Sequence, residues 1–455
     1  MSTYLRRTCT GGNQQIATFS AWVKKTQEAT ENCMFLQRAD GSNFFRIRFN
    51  SDQINFNSRV SGTDYYGTTT AFYRDTSSFY HIVLTVNTTE STSSDRFKLY
   101  INNVQQVFTA SSYPGSSANL QMNVNGMQND VGGENGGNYF KGIMAHVHWV
   151  DGTAYTPSTF GETDSTSGIW KPKTSPTVTY GTNGFFLKFA NSGSLGLDSS
   201  GNTNNFTLTG NGIQTQDNPS NVFAIFNRND RHGGSTNNYG DYLTKGNTRI
   251  DIASAQKGCL RSTLGVKSGK WYWEAKVISK SKGFYGVCNS TAFGTTSASI
   301  QGTSFPSGVW YYENGPNFYA FNHQSNNTSI DSVANNDILC FALDMDNHAF
   351  YVRKNDSAWM NSGNPASGAS RTGSVPELFT NGRKVLTDHG EVFVNHYVDS
   401  SSGSTSVAYN FGNGYFDTTA VASSNADGNG LGLFEYSVPS GYYALCTKNV
   451  KQYGG

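Results

Sequence analysis

The stretch Ile16-Ala17-Thr18-Phe19-Ser20-Ala21-Trp22-Val23 decides the class of this chain. Apolar positions alternate along it, which is the period of a half-buried β-strand and not of a helix. Short runs of the same kind follow between clusters of turn residues, at Phe44–Phe49, Gln53–Phe56, His81–Val86, Phe97–Ile101 and Gly142–Val150. Asn102-Asn103 reads as a two-residue hairpin turn, because asparagine tolerates the positive φ that such turns need. Regular short strands of this spacing predict a β-sandwich.

Composition points the same way. Aromatic residues are 14% of the 455 positions and charged residues only 14%, with Gly, Ser, Thr and Asn filling much of the rest. Good helix formers are scarce, while the aromatics supply apolar area that a disordered chain lacks. The length suffices for two or three domains, each with its own core. A net charge of +1 leaves no footprint for nucleic acid or an anionic membrane, and no run of eighteen apolar residues is present to span a bilayer. Met1–Thr10 carries Arg6 and Arg7 with no apolar stretch behind them, so no signal peptide is expected. A surface-type protein of this kind would leave its cell by another route, such as lysis.

Cys9, Cys33, Cys259, Cys288, Cys340 and Cys446 show neither C-x-x-C pairing nor zinc spacing. The last three lie in apolar runs, so free structural thiols are expected, with a Cys9–Cys33 disulfide left open. The second half repeats the strand pattern at Lys270–Val277, Gly283–Cys288, Asp337–Asp344, Ala349–Val352, Val407–Phe411 and Tyr442–Thr447. The expected organisation is a first lobe over 1–225, whose segment 156–225 is an extension adding strands, a linker over 226–244, and a second lobe over 245–455. Only Thr156–Gly161 suggests a helical turn.

Residues Thr18 to Asp151 resemble a concanavalin A-like, laminin-G-type sandwich, on Phe19–Lys24, Phe79–Leu84, Leu99–Asn102 and Tyr139–Gly142. Residues of about 245–450 resemble a SPRY domain, on Gly269–Glu274, the Asp337–Tyr351 hairpin and Asn410–Phe416. Between them stand Asp151–Tyr155, Phe160–Asp164 and Gly168–Lys173, and the whole combination resembles structural proteins of marine phages, such as those infecting cyanobacteria. The implied fold class is all-β, with two different antiparallel β-sandwiches: a concanavalin A-like jelly roll, then a SPRY-like sandwich.

Such a fold can carry a glycanase, whose acid and base or nucleophile stand roughly 5 to 10 Å apart. Glu162 and Asp164 are the nearest pair, but they lie in a turn-rich loop without a third carboxylate; Asp344 and Asp346 flank a hairpin turn, where aspartate is common for turn reasons. No catalytic residue is assigned. His146 and His148 are spaced to share one strand face, yet no third ligand is near in sequence, so no metal site is assigned either. The resemblance leaves room for a shallow calcium site without naming its ligands, and the start of a calcium loop at Asp344–Asn347 lacks its Gly and distant Glu. The candidate ligand-binding residues are loop aromatics, Tyr65 and Tyr66 and then Trp310, Tyr311 and Tyr312, because flat rings stack on sugar faces. Their alternative role is packing.

The resemblance therefore implies a non-enzymatic virion protein at the particle surface, as a tail fibre or tail-tip component binding a host surface glycan or receptor. A capsid decoration or head-fibre protein is the alternative, and a polysaccharide depolymerase ranks last. Its partners would be other virion proteins and, since exposed strand edges must be covered, further copies of itself.

Overall fold

The alternation around Ile16 builds a strand, but not a half-buried one. In the computed structural model, Ile16–Lys25 is buried at every position except the first. Phe44–Asn50, by contrast, keeps strict alternation from Phe45 onwards. The reason is architectural: one sheet of this region has both faces covered, and the other has one.

The structure describes residues 3–28, 30–134, 137–232, 242–253, 257–289, 308–313, 317–320, 323–325, 331–378, 386, 390–399 and 403–454. The chain forms two compact units, residues 1–214 with 218–220, and residues 215–217 with 221–455.

In the first unit, an eight-stranded sheet contains β1 (Tyr4–Thr8), β3 (Asn32–Arg38), β4 (Phe44–Asn50), β5 (Gln53–Val60) and β6 (Thr63–Thr69). It also holds β10 (Phe108–Ser112), β11 (Gln128–Val131) and β16 (Thr207–Thr209), in the order β10-β6-β5-β4-β3-β11-β1-β16. The six-stranded sheet runs β15 (Phe185–Leu187), β12 (Gly142–Asp151), β2 (Ile16–Lys25), β7 (Tyr80–Asn87), β8 (Phe97–Ile101) and β9 (Val104–Gln105). Asn102 and Asn103 join β8 to β9 with φ of 48° and 68°, as their tolerance of that region suggests.

The two sheets face one another across aromatic contacts. Phe56 meets Phe97 edge-on with centroids 5.0 Å apart, and Phe35 lies 4.7 Å from Trp149. Leu5, Phe35, Ile47 and Phe56 share this core with Phe19, Leu84 and Leu99. Outside both sheets, β13 (Gly161–Thr163) and β14 (Trp170–Pro172) make a small hairpin of their own. Thr156–Gly161 holds a single 3-10 turn at Pro157–Thr159.

The second unit is a different sandwich of two seven-stranded sheets. One contains Phe226–His232, Lys257–Val266, Val392–Asp399, Gly283–Asn289, Gly308–Tyr312, Asn317–Ala320 and His323–Ser325, in that order. The other is built around Lys270–Ser279, with Ile338–Asp344 on one side and Thr405–Asn410 on the other. Trp273 stacks on Phe341 at 5.4 Å, and Tyr285 of the first sheet lies 6.4 Å from Phe341 of the second. The chain is thus all-β, in two different antiparallel β-sandwiches.

Two further expectations change. Phe226–His232, expected within a linker, is a strand: Phe226 is fully buried and pairs with Ser262, because its apolar side chain belongs to the second core. The remainder of that linker, 233–241, lies outside the described residues. The run expected as a strand from Tyr442 shortens to Tyr443–Ala444, and Thr447–Tyr453 is an α-helix. All six cysteines are free and buried, Cys9 and Cys33 included.

Candidate functional site

The open outer face of the eight-stranded sheet arises directly from strand alternation. Leu5, Val131, Phe35, Ile47 and Phe56 point to the core, so their neighbours point outward. Register lines those neighbours up across six strands: Arg6 opposite Asp130, then Leu36, Arg46, Asn57 and Tyr66. Arg6 grips Asp130 through two bonds of 2.7 Å, and Arg46 donates to Glu134 at 3.0 Å. Asn57 donates to Asp64 at 3.0 Å, beside the two bonds from Arg59 to the same carboxylate. The guanidinium of Arg59, above all, holds Asp64 below the usual carboxylate range. One further row carries Arg48, bonded to Glu31, and Asn55, bonded to Thr68. Tyr4, stacked with Tyr139 at 6.0 Å, and the half-buried Tyr66 stand at either side. The result is a face on which Arg6, Arg46 and Tyr66 are partly exposed while Asp130, Leu36 and Asn57 are buried among them, with ion-paired carboxylates and tyrosine rings at its margins.

The outer face of the six-stranded sheet is closed by residues 155–186. Phe160, Tyr180 and Phe186 pack on Val83 and Val150. Small polar side chains on this face are satisfied inside: Thr18 donates to the Thr153 carbonyl at 2.8 Å, and Ser20 lies 2.9 Å from His81 Nε2. Trp22 stacks on His81 at 4.5 Å, and the Trp170 indole donates to His81 Nδ1 at 3.0 Å.

Of the residues singled out in sequence, Tyr65 packs toward the core, whereas Tyr66 reaches the open face. Both are on β6, not in a turn. Trp310 and Tyr311 are core residues, 1% and 0% exposed, and cannot stack on a ligand. Trp310 donates to Asn395 at 2.7 Å and Tyr311 to the Asp331 carbonyl at 2.7 Å; Tyr312 stacks on Phe284 at 4.3 Å. The structure thus leaves Tyr66 and Tyr312, of the five, partly exposed, Tyr66 on the outer face of the eight-stranded sheet and Tyr312 stacked on Phe284. Arg6, Arg46, Asn57 and Asp130 were missed, although polar residues at every second position of Phe44–Phe49 and Gln53–Asn57 mark an outward face.

The carboxylate pairs have structural roles. Lys171 bridges Glu162 and Asp164, at 3.7 and 2.8 Å, and that bond leads the causes holding Asp164 well below its ordinary range. Asp344 accepts from both nitrogens of Asn347 and pairs with Lys270, while Asp346 accepts from the Gly269 amide. Asp346 also lines a shallow recess of about 280 Å³ with Lys270, Tyr443 and Tyr453. His146 lies within a break in the β12–β2 register that ends at His148, and both contact the Phe186 ring, at 5.6 and 3.9 Å. Among the described residues, no three His, Cys, Asp or Glu side chains are grouped to hold a metal. Two carboxyls are pushed upward by burial, Glu274 to about 7 and Glu313. Each is sealed inside: Glu274 accepts from the Glu435 and Tyr436 amides, Glu313 from those of Ser281 and Gly283 and from Tyr285.

Among solved structures, the chain is similar to the SPRY domain of human HERC1, at 17% identity over 40% of this chain and 96% of that one, with a TM-score of 0.28. It is similar to a heptameric SAP-like pentraxin from Limulus polyphemus at 15% identity, covering 34% and 72%, with a TM-score of 0.27. Domain 4 of AbnA, a GH43 extracellular arabinanase from Geobacillus stearothermophilus, in complex with arabinotriose, matches at 22% identity over 34% and 68%, with a TM-score of 0.26. No curated protein matches the chain. Residues 3–159, which carry the open face, match the family described as the concanavalin A-like lectin/glucanases superfamily, Laminin_G_3.

Proposed function

We propose that this chain is a non-enzymatic glycan-binding protein of a phage particle, acting as a tail fibre or tail-tip component, and that the outer face of the eight-stranded sheet is its recognition surface. The observation that carries the glycan reading is the Arg6–Asp130–Leu36–Arg46–Asn57–Tyr66 row, polar but for Leu36, within the region that matches a lectin and glucanase family. Sugars are recognised by bidentate amide, guanidinium and carboxylate partners for their hydroxyls and by ring faces for their C–H surfaces.

Hydrolysis is disfavoured by the carboxylates. A glycanase needs one protonated acid and one ionised partner across an open cleft. Asp130, Glu134 and Asp64 on the face are each held by an arginine, and the two raised carboxyls are buried away from solvent. The virion assignment rests on the order of sequence segments that resembles marine phage structural proteins.

Immobilised envelope polysaccharide from a host should retain the purified protein, and Tyr66→Ala should weaken that retention. A protein that binds neither intact host cells nor their polysaccharide overturns the glycan reading. Immunogold labelling over the capsid instead of the tail would replace the tail-fibre role with head decoration. Release of reducing ends from the polysaccharide would make the protein a depolymerase.

A further inference from the structure

The hairpin Gly161–Pro172 is attached to the first unit in an unusual way. Its two strands pair with each other, and among the described residues their ladder joins no other strand. Its hold on the six-stranded sheet is made by rings. Trp170 lies 5.9 Å from His81 and donates its indole N–H to His81 Nδ1 at 3.0 Å; Phe160, just before the hairpin, lies 5.0 Å from His148. Trp170 also rests on Gly161, where any Cβ would lie 2.3 Å from the indole, so ring and hairpin move together.

The chemistry of that bond settles the state of His81. An indole nitrogen only donates. His81 Nδ1 must therefore accept, so its single proton sits on Nε2 and is donated to Ser20 Oγ at 2.9 Å. A second proton on Nδ1 would set two N–H groups against each other inside a buried site. We propose that the Gly161–Pro172 hairpin is an acid-released cover, held over the outer face of the six-stranded sheet by the Trp170–His81 bond and let go when His81 takes up a proton.

The surroundings favour the same behaviour. From β12, His146 acts on His81 and both His146 and His81 act on His148; from the end of β15, Lys188 acts on His146 and His148. On β2, Ser20 and Trp22 face His81, with Lys24 further along over Phe79. On the hairpin, Lys171 is matched by Glu162 and Asp164. Burial first, and then His146, depress His81 from 6.5 to about 3. Beneath the cover, Trp22 Nε1 and His146 Nδ1 are buried without partners, and water would satisfy both once the hairpin lifts.

The sign follows from linkage. A histidine depressed in the closed state keeps the cover fully closed above pH 6.5 and loses that hold as pH falls toward 3. At pH 4.5 closure should be about a hundredfold weaker than at pH 7.5. Hydrogen exchange of the full chain, corrected for intrinsic rates, reads this at the Trp170 indole N–H, which closure bonds to His81 Nδ1. Protection there should drop selectively at pH 4.5, while β2 and β7 stay protected.

His81→Gln, which can accept the indole bond without titrating, should keep the indole protected at both pH values. Unchanged protection at pH 4.5, or loss spread evenly over the whole unit, overturns the proposal. So does a His81→Gln protein that opens with acid as the wild type does. If His81→Gln fails to fold, the wild-type Trp170 indole proton decides by NMR: its resonance must shift with the same midpoint as hairpin opening, and a resonance indifferent to acid overturns the proposal.

Discussion

The two outer faces of the first unit began from similar strand patterns and ended in opposite conditions. On the eight-stranded sheet, outward positions hold arginines, asparagines and ion-paired carboxylates in partial contact with solvent. On the six-stranded sheet, outward positions hold Ser20, Trp22, His81 and His148, sealed under Phe160, Trp170 and Phe186. The difference teaches that the same alternation leaves one face partly solvated, with its charges paired, and makes the other a second core with titratable groups inside it.

The sharpest way to break this contrast is to cut into the covered face itself. Phe186 is buried against His148, so Phe186→Ala should cost about 3–5 kcal/mol in urea unfolding. Acid should act next. His81 is depressed to about 3, so its contribution is complete above pH 6.5 and is lost as pH falls toward 3. His81 by itself should lower the unfolding free energy by up to about 3 kcal/mol between pH 7 and 4.5, and His81→Gln should remove that share of the slope while the buried His148 and His396 keep theirs. Tyr66→Ala should cost under ~1 kcal/mol of stability yet weaken polysaccharide retention about tenfold. Smallest of all, Arg59→Ala removes a partly exposed ion pair and should change stability by less than ~1 kcal/mol, an effect that high salt weakens.

What could be read in advance follows the range of the interactions involved. Strand existence is local, and Phe44–Asn50 or Phe97–Ile101 announce themselves by alternation. The Asn102-Asn103 turn is local too. Whether an outward face meets water depends on where a segment more than a hundred residues away is laid. Thr18 and Ser20 look solvent-facing by type, yet Thr153 and His81 satisfy them inside. Three consecutive aromatics at Trp310-Tyr311-Tyr312 looked like a stacking platform. On a strand, successive side chains take opposite faces, so such a run fits a strand buried on both sides. The open-face row was unreadable in full for the same reason: Arg6 reaches Asp130 only through register between strands far apart in sequence.

One pairing has a practical corollary. Strand β16 closes onto β1, with Tyr4 opposite Thr209 and Arg6 opposite Thr207. The polypeptide therefore arrives at this sandwich and leaves it through adjacent strands. Geometry of that kind suits transplantation: the module can be spliced into a surface loop of an unrelated host protein, or circularly permuted by a short bridge across β1 and β16, with little demand on the recipient backbone.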